Sequence, residues 1–533
     1  MRIVVVGSGV SGCHAALTLL ERGHATELWD IGRDEVSFPA PGASFHELKG
    51  RLDDPTAYLL GRDLQALIPP DAAELLRYPP ERRFMASAKD NHWRFDADGF
   101  DAYGSFARGG LANGWGANAL SFDDDDLRGW PLSFADMAPA YRTVCQRIPV
   151  AGPPEDDLSA SLPGVHLSQP AVPLTSVDAR LLQVYGRKKA ALSRQGIGLG
   201  RARLAVVTDP ADARACDGCD RCLWGCPRGS IYNPATSTLE ACRLFPGFHY
   251  RSGREVLSLL ADGDKVTGIR FLDTASDEVH EEPCDAVFLA AGALQTGAIF
   301  LRTLKALRPD VAAETDGLMD TAVVKLPFVG LRSIGTPLDA RSFQFNRLIV
   351  GMTSEATPWP RYLHGELLHL TSLIYHPLIE RMPFDSRLSK RLFFALKSAL
   401  GVVSFFFPDR LTAGNQQVLV DGREPIARVS LRYRNTDEKE AYINEALSRM
   451  RSALWQLGCV PQGAVRSPAG GGIHYAGTVP MGSGIKRCDA AGRLNLLPNV
   501  FVADGAAFPS LPSKSITLSL AAHATRVARL ATL

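Results

Sequence analysis

Four consecutive apolar residues, Ile3 to Val6, run straight into Gly7-Ser8-Gly9-Val10-Ser11-Gly12. β-Branched residues without polar alternation predict a strand buried on both faces, as in a parallel sheet. An amphipathic helix to about Arg22 and a second strand, Thr26 to Trp29, should follow, with Asp30 at the strand's end. The pattern is G-x-G-x-x-G between a strand and a helix, with an acidic residue about 20 positions on. Glycines let the backbone approach a pyrophosphate, and the helix N-terminus favours the anion. Gly7, Gly9 and Gly12 are therefore expected to hold a dinucleotide, with Asp30 accepting hydrogen bonds from the adenosine ribose. The motif does not separate FAD from NAD.

A chain of 533 residues exceeds one ordinary core, so two or more domains are expected. A net charge of +1 gives no pull towards nucleic acid, and none is expected as a partner. The N-terminus enters a strand at once and offers no signal peptide. No apolar run reaches the roughly 18–20 residues that span a bilayer. Cys13, Cys145, Cys242, Cys284, Cys459 and Cys488 are scattered, as buried thiols in a reducing compartment usually are. A cytoplasmic location is the expectation, and export with a signal-bearing partner is compatible with it.

Further along, Arg108-Gly-Gly-Leu-Ala-Asn-Gly-Trp-Gly-Ala-Asn118 packs glycines and small residues into one stretch. Such a backbone suits close approach to a flat ligand. The acidic run Asp123 to Asp126 reads as a solvated helix N-terminus rather than a metal site, and residues 151–173 read as a Pro-rich surface segment. Strands around Arg254 to Leu260 (with Val256) and Val266 to Leu272 precede a buried run, Ala286 to Leu289, which turns at Gly292 into a helix. That crossover should complete the first sheet.

Between about Leu307 and Gly458, alternation in Leu348 to Met352, Leu367 to Tyr375 and Ile426 to Tyr433 predicts an antiparallel sheet. A helix from Asp437 to Leu457 should pack beside it, and the block would wall the cofactor. Within it, Leu392 to Phe407 is rich in phenylalanine and follows Arg381, Arg387, Lys390 and Arg391. A buried helix or strand pair is the preferred reading; the other is a peripheral membrane contact or a mouth for a lipid-like substrate or quinone.

The C-terminal block concentrates chemistry: His474-Tyr-Ala-Gly-Thr478 with Met481-Gly482, then Asn499-Val-Phe-Val-Ala-Asp504-Gly505 with Phe508-Pro509, then a last helix from Ser515. Here the chain resembles the glucose–methanol–choline (GMC) oxidoreductases. The resemblance rests on the N-terminal turn, on Gly109-Gly110 to Trp115-Gly116 with Trp130-Pro and Tyr141, on the Leu289 to Thr296 crossover and on the C-terminal motifs. It implies a mixed α/β fold of GMC type, a Rossmann-like FAD-binding domain with a separate antiparallel-sheet substrate domain. The first would comprise residues 1–306 and 459–533, and the second 307–458. It implies FAD, contacted by Gly109, Gly110, Trp115, Gly116, Asn118, Val256, Gly292, Asp504, Gly505 and Ile516 besides the first motif. It also implies oxidation of an alcohol, with His474 at the family's catalytic histidine as base. The family's second catalytic position, a His or Asn, falls on Ser515, which can orient a hydroxyl but cannot act as a second base. Lys514, if it faced inward, would add to the helix N-terminus in stabilising reduced flavin. His523 reads as packed rather than catalytic.

Four of the ten cysteines lie in one loop, Cys216, Cys219, Cys222 and Cys226, followed by Pro227. The C-x2-C-x2-C-x3-C-P spacing matches the iron–sulfur run of bacterial ferredoxins. Zinc and free thiols are the alternatives, although structural zinc sites usually draw two pairs from separated knuckles. Bacterial FAD-dependent sugar dehydrogenases of the GMC family are similar in carrying C-x5-C-x3-C-P, matched by Cys216, Cys222 and Cys226, with a three-iron cluster. Cys219 is extra, so [3Fe–4S] and [4Fe–4S] are both open for the loop 214–234. A cluster would serve a dehydrogenase that passes electrons singly to a partner protein or quinone. The expected substrate is a sugar, polyol or sugar-like alcohol; a hydrophobic alcohol such as a sterol, and a non-redox lyase, are the alternatives.

Overall fold

The computed structural model describes the chain except residues 35–42, 44, 49, 62–63, 65–83, 86–90, 356–357, 371–378, 380–381 and 421–425. In chain order come β1 (Ile3–Val6), α1 (Val10–Glu21), β2 (Thr26–Trp29), β3 (Ile197–Arg201) and β4 (Phe248–Arg251). A meander follows, β5 (Arg254–Asp262), β6 (Lys265–Asp273) and β7 (Glu278–Pro283), and leads to β8 (Ala286–Leu289) and α2 (Ala293–Leu307). The middle of the chain holds β9 (Ala322–Gly330), β10 (Leu348–Thr353), β11 (Tyr362–His369), α3 (Ser386–Leu396), β12 (Leu400–Phe407) and α4 (Asp437–Gln456). It ends with β13 (Cys459–Pro461), β14 (Val500–Val502) and α5 (Thr517–Leu530).

Two sheets organise these elements, and the fold is the expected mixed α/β type. The first is parallel, in the order β14-β8-β1-β2-β4. Its central strands β1 and β8 are buried along their whole length. That burial explains their unbroken apolar sequence: α1 and α5 cover one face, the β5–β7 meander covers the other, and no polar face is needed. The β8 crossover joins the first sheet next to β1, as the sequence predicts. α1 and α5 pack closely against each other over this sheet, so the two ends of the chain build one site.

The second sheet is antiparallel, in the order β13-β9-β12-β11-β10-β3, and Val465–Arg466 also pairs with β9. It draws strands from before residue 307 and from after 458 as well as from the middle of the chain. β12, the phenylalanine-rich strand, is interior, bonded to β9 on one side and β11 on the other. The buried reading therefore holds for this half of the stretch. On α3, by contrast, Phe393 is buried and Phe394 is 47% exposed. No described helix is long and apolar enough to cross a membrane.

Several local expectations change. The strand placed at Leu367 to Tyr375 is β11 and begins at Tyr362; residues 371–375, like Arg381, lie outside the described residues. Arg428–Arg432 belongs to a different sheet, antiparallel to Gln416–Val420 and parallel to Phe95–Asp98. Ala151, Leu158, Leu162 and Val172 are buried, so 151–173 is only partly a surface segment. The run Asp123 to Asp126 is not a solvated helix start. Lys514 is fully buried and its Nζ lies 2.9 Å from Asp123 and 2.5 Å from Asp126. A buried ammonium needs counter-charges, and these two carboxylates supply them.

Candidate active site

One cavity of about 490 Å³ lies between the two sheets. It is lined by Gly7, Gly9, Asp30, Gly109, Gly110, Trp115, Gly116, Asn118, Val256, Gly292, His474, Asp504, Gly505, Ser515 and Ile516, which the sequence analysis singles out from separate stretches. Gly12 is the exception. A Cβ there would meet the Gly7 carbonyl oxygen at 1.7 Å, so Gly12 serves the packing of the turn and not the cavity wall.

Three helix N-termini open on this cavity. α1, α2 and α5 begin after Gly9, Gly292 and Ile516, and none has a side-chain cap or an acidic residue in its first turn. Uncapped first-turn N–H groups and the positive dipole end suit anionic groups. A Cβ on Gly9 would meet nothing within 4 Å, so its surface faces open space. Asp30 sits at the end of β2, where its Oδ2 accepts from the Ser8 N–H at 3.2 Å and from the Ser8 hydroxyl. Burial pushes its carboxyl up to about 6, against the pull of those bonds. Asp504 Oδ2 accepts from Gly292 N at 2.8 Å and from the Thr296 hydroxyl at 2.6 Å, tying the β14 end to the start of α2. Uncapped helix starts, an open glycine surface and a carboxylate at the second strand's end fit a dinucleotide.

His474 is held at three points. Its Nδ1 is 3.0 Å from the Thr321 hydroxyl, leaving Nε2 for the cavity. Its backbone N–H donates to Asp320 Oδ1 at 3.3 Å, and Asp320 Oδ2 also accepts from Gly470 and Gly472. Its ring stacks on Phe406 with centroids 5.3 Å apart. Burial pushes the imidazole down to about 4, so it is neutral near pH 7. The preceding residue, Ile473, has φ of 59°, a left-handed conformation that a β-branched residue adopts only when its surroundings impose it.

Lys514 points to Asp123 and Asp126 and is thus neutralised rather than aimed at a bound ring. His523 is packed, with Nε2 3.1 Å from the Val502 carbonyl oxygen. Thr321, Asp320, Phe406 and Glu366 are site residues that the sequence reading does not pick out. Phe406 lay in a stretch already marked as unusual; the other three sit in no recognisable motif.

The cysteine loop borders the cavity. Leu223, next to Cys222, lines it, and Trp115, another lining residue, packs in the same apolar cluster as Cys216 and Cys222. All four cysteines are free thiols. Burial pushes Cys216 up to about 11 and Cys219 up to about 12, and the neighbouring Cys226 raises both further. Among the described residues no three His, Cys, Asp or Glu side chains converge on a point that could hold a metal ion. The expected ligand set is present as residues, and it is not a gathered site.

Comparison with known proteins follows the same lines. A family model described as GMC oxidoreductase matches residues 417–524. The paromamine 6'-oxidase of Streptomyces fradiae is 23% identical over 99% of this chain and 90% of its own length. The 6'''-hydroxyparomomycin C oxidase of Streptomyces lividus is 28% identical over 35% of this chain, and that match spans only 33% of the relative's length. Among solved structures, pyridoxine 4-oxidase from Mesorbium loti superposes with a TM-score of 0.62 at 17% identity, covering 99% of this chain and 98% of the other; this likeness concerns the fold.

Proposed function

Because this chain belongs to the GMC oxidoreductase family, we propose that it is an FAD-dependent dehydrogenase that oxidises the CH–OH of a sugar, polyol or sugar-like alcohol to a carbonyl. The observation that carries this reading is a half-buried, neutral His474 in a cavity onto which three uncapped helix N-termini open. FAD would be held by the Gly7–Gly12 turn, Asp30, the Gly109–Asn118 stretch and the Asp504–Ile516 segment, and when bound it supplies the two-electron acceptor for hydride from the alcohol carbon. His474 Nε2 takes the hydroxyl proton. Thr321 keeps Nδ1 engaged, so the ring presents its other nitrogen, Nε2. Ser515, in the cavity wall just before α5, hydrogen-bonds and orients the substrate oxygen.

The cysteine loop completes the reading. Cys216, Cys219, Cys222 and Cys226 would hold an iron–sulfur cluster, which when bound supplies a one-electron relay to an external acceptor, a protein or quinone. What supports this is the ligand spacing and the place of the loop against the cavity at Leu223 and Trp115. Direct use of oxygen is the second reading, favoured by the two relatives named as oxidases. Anaerobic bleaching of the flavin by a panel of alcohols tests the oxidation; no bleaching by any alcohol rejects it. Iron and acid-labile sulfide analysis with EPR tests the cluster. Fast oxygen consumption that survives Cys222→Ser would decide for the oxidase.

A further inference from the structure

The antiparallel sheet touches the cavity at very few points. Between residues 300 and 471, only Glu366 and Phe406 line it among the described residues. They belong to adjacent strands. Glu366 on β11 lies opposite Ser404 on β12, and His364 lies opposite Phe406. Opposed residues share a sheet face, as do residues two apart along a strand. Glu366 and Phe406 therefore stand on one face, offset by about 7 Å along the strands. Phe406 in turn stacks on His474. The wall facing the base is one carboxylate and one aromatic ring.

That carboxylate has no counter-ion among the described residues. Its one hydrogen-bond partner is a neutral amide: Asn118 Nδ2 donates to Oε1 at 2.8 Å. Asn118 is itself fixed, since its Oδ1 accepts from Asn346 Nδ2 at 2.9 Å, and it follows Ala117 in a left-handed conformation, φ 65°. Burial pushes Glu366 up to about 7, with no cation among the described residues offsetting it. Asp30 and Asp504 also lack a cation among the described residues, but each accepts from several N–H and hydroxyl groups, and three buried acids elsewhere are paired with a cation. Asp126 has Lys514, Asp178 has Arg347, and Asp409 has Lys439. An interior carboxylate left without a cation is costly unless something else brings the charge.

We propose that the alcohol oxidised here carries a protonated amine, bound by Glu366 and the face of Phe406 while its hydroxyl reaches His474. A carboxylate beside an aromatic face is a complementary pair for an ammonium group, one by charge-assisted hydrogen bonds and the other by cation–π attraction. The asparagine pair occupies Oε1 and leaves Oε2 to the ligand. The inference rests on the alcohol-oxidation reading above and names its substrate class: an amino sugar or amino alcohol.

The test pairs each amine with its hydroxyl isostere (glucosamine with glucose, 4-aminobutan-1-ol with butane-1,4-diol, and further pairs of both kinds) and follows anaerobic flavin reduction in the FAD-loaded protein. The best amine should exceed its isostere in reduction efficiency by about tenfold or more. Glu366→Gln should bring that ratio to about one, and Glu366→Asp should restore part of it. A ratio near one in the unaltered protein, or a ratio unchanged in Glu366→Gln, overturns the proposal. If nothing in the panel, charged or neutral, bleaches the flavin, alcohol oxidation itself fails. The amine site is then read separately from flavin absorbance changes on titration with the same amines. Binding that Glu366→Gln abolishes supports the site, and an absence of binding overturns it.

Discussion

The cavity and the cysteine loop touch at Leu223, yet they are held in different ways. The cavity is made of element ends: α1, α2 and α5 start at it, β2 and β14 finish at it, and His474 is tied to Asp320 and Thr321 in the wall. The loop has one short 3-10 turn, Cys222–Trp224, with Trp224 buried, and is otherwise held by side-chain ion pairs of Asp217 with Arg228 and Arg341 and by hydrogen bonds such as Leu223 N to Gln344 Oε1 at 2.6 Å and Ser342 N to the Gly218 carbonyl oxygen at 2.7 Å. Groups set by the ends of packed helices and strands are in position before any ligand arrives. Ligands on a loop are brought together by what they bind, because metal coordination itself supplies the ordering energy.

Four experiments break or sharpen that contrast. The largest effect is expected for His474→Ala, which should lower the rate of flavin reduction by about 10²–10⁴-fold with FAD retained, as loss of a general base does; stopped-flow reduction measures it. Cys222→Ser should come next and should act on the other region alone. Bound iron and turnover with an external acceptor should fall, while anaerobic flavin reduction by the alcohol stays within about threefold, and equal loss of both would break the separation. Asp320→Asn removes the charge from a carboxylate that accepts from three backbone N–H groups, Gly470, Gly472 and His474. It should cost about 1.5–3 kcal/mol in urea unfolding and slow flavin reduction with it.

The smallest effect is expected for Thr321→Val, about 1 kcal/mol or fivefold in the reduction rate, with Thr321→Ser restoring it and stability nearly unchanged. The pH profile gives the sign of the histidine's role. Burial lowers the His474 pKa to about 4. The neutral imidazole is therefore present above that value and lost as pH falls through it. The acid limb of the reduction rate should lie near pH 4, and a limb near 6.5 would show an imidazole in contact with bulk water.

Much of the cavity is legible before folding, because its parts are backbone devices with local signatures. The Gly7–Gly12 turn needs glycine wherever the chain presses on itself or on a ligand, and the buried strands β1 and β8 announce themselves by unbroken apolar runs. The acidic run Asp123 to Asp126 misled for a definite reason. Nothing within it reveals Lys514, almost 400 residues later, and a run of carboxylates without a visible cation reads as solvated. Glu366 escaped notice in the same way. In Tyr362–His369 the polar residues His364 and Glu366 fall on one face, which in sequence looks like the solvent face of a half-buried strand. In the fold that face looks onto the cavity.

The sequence alone determined what depends on neighbours along the chain: a parallel first sheet, a glycine turn between β1 and α1, His474 in its motif, and four cysteines at a ligand-like spacing. Only the tertiary structure decided what depends on distant partners. It paired Lys514 with two aspartates, took Gly12 out of the cavity wall, set Thr321 and Asp320 behind His474, and placed Glu366, paired with no described cation, in the same cavity wall as His474. The physical reason is range. Strand burial, turns and helix starts are governed by contacts a few residues apart, whereas the charge and burial of a side chain are fixed by whatever the fold brings beside it.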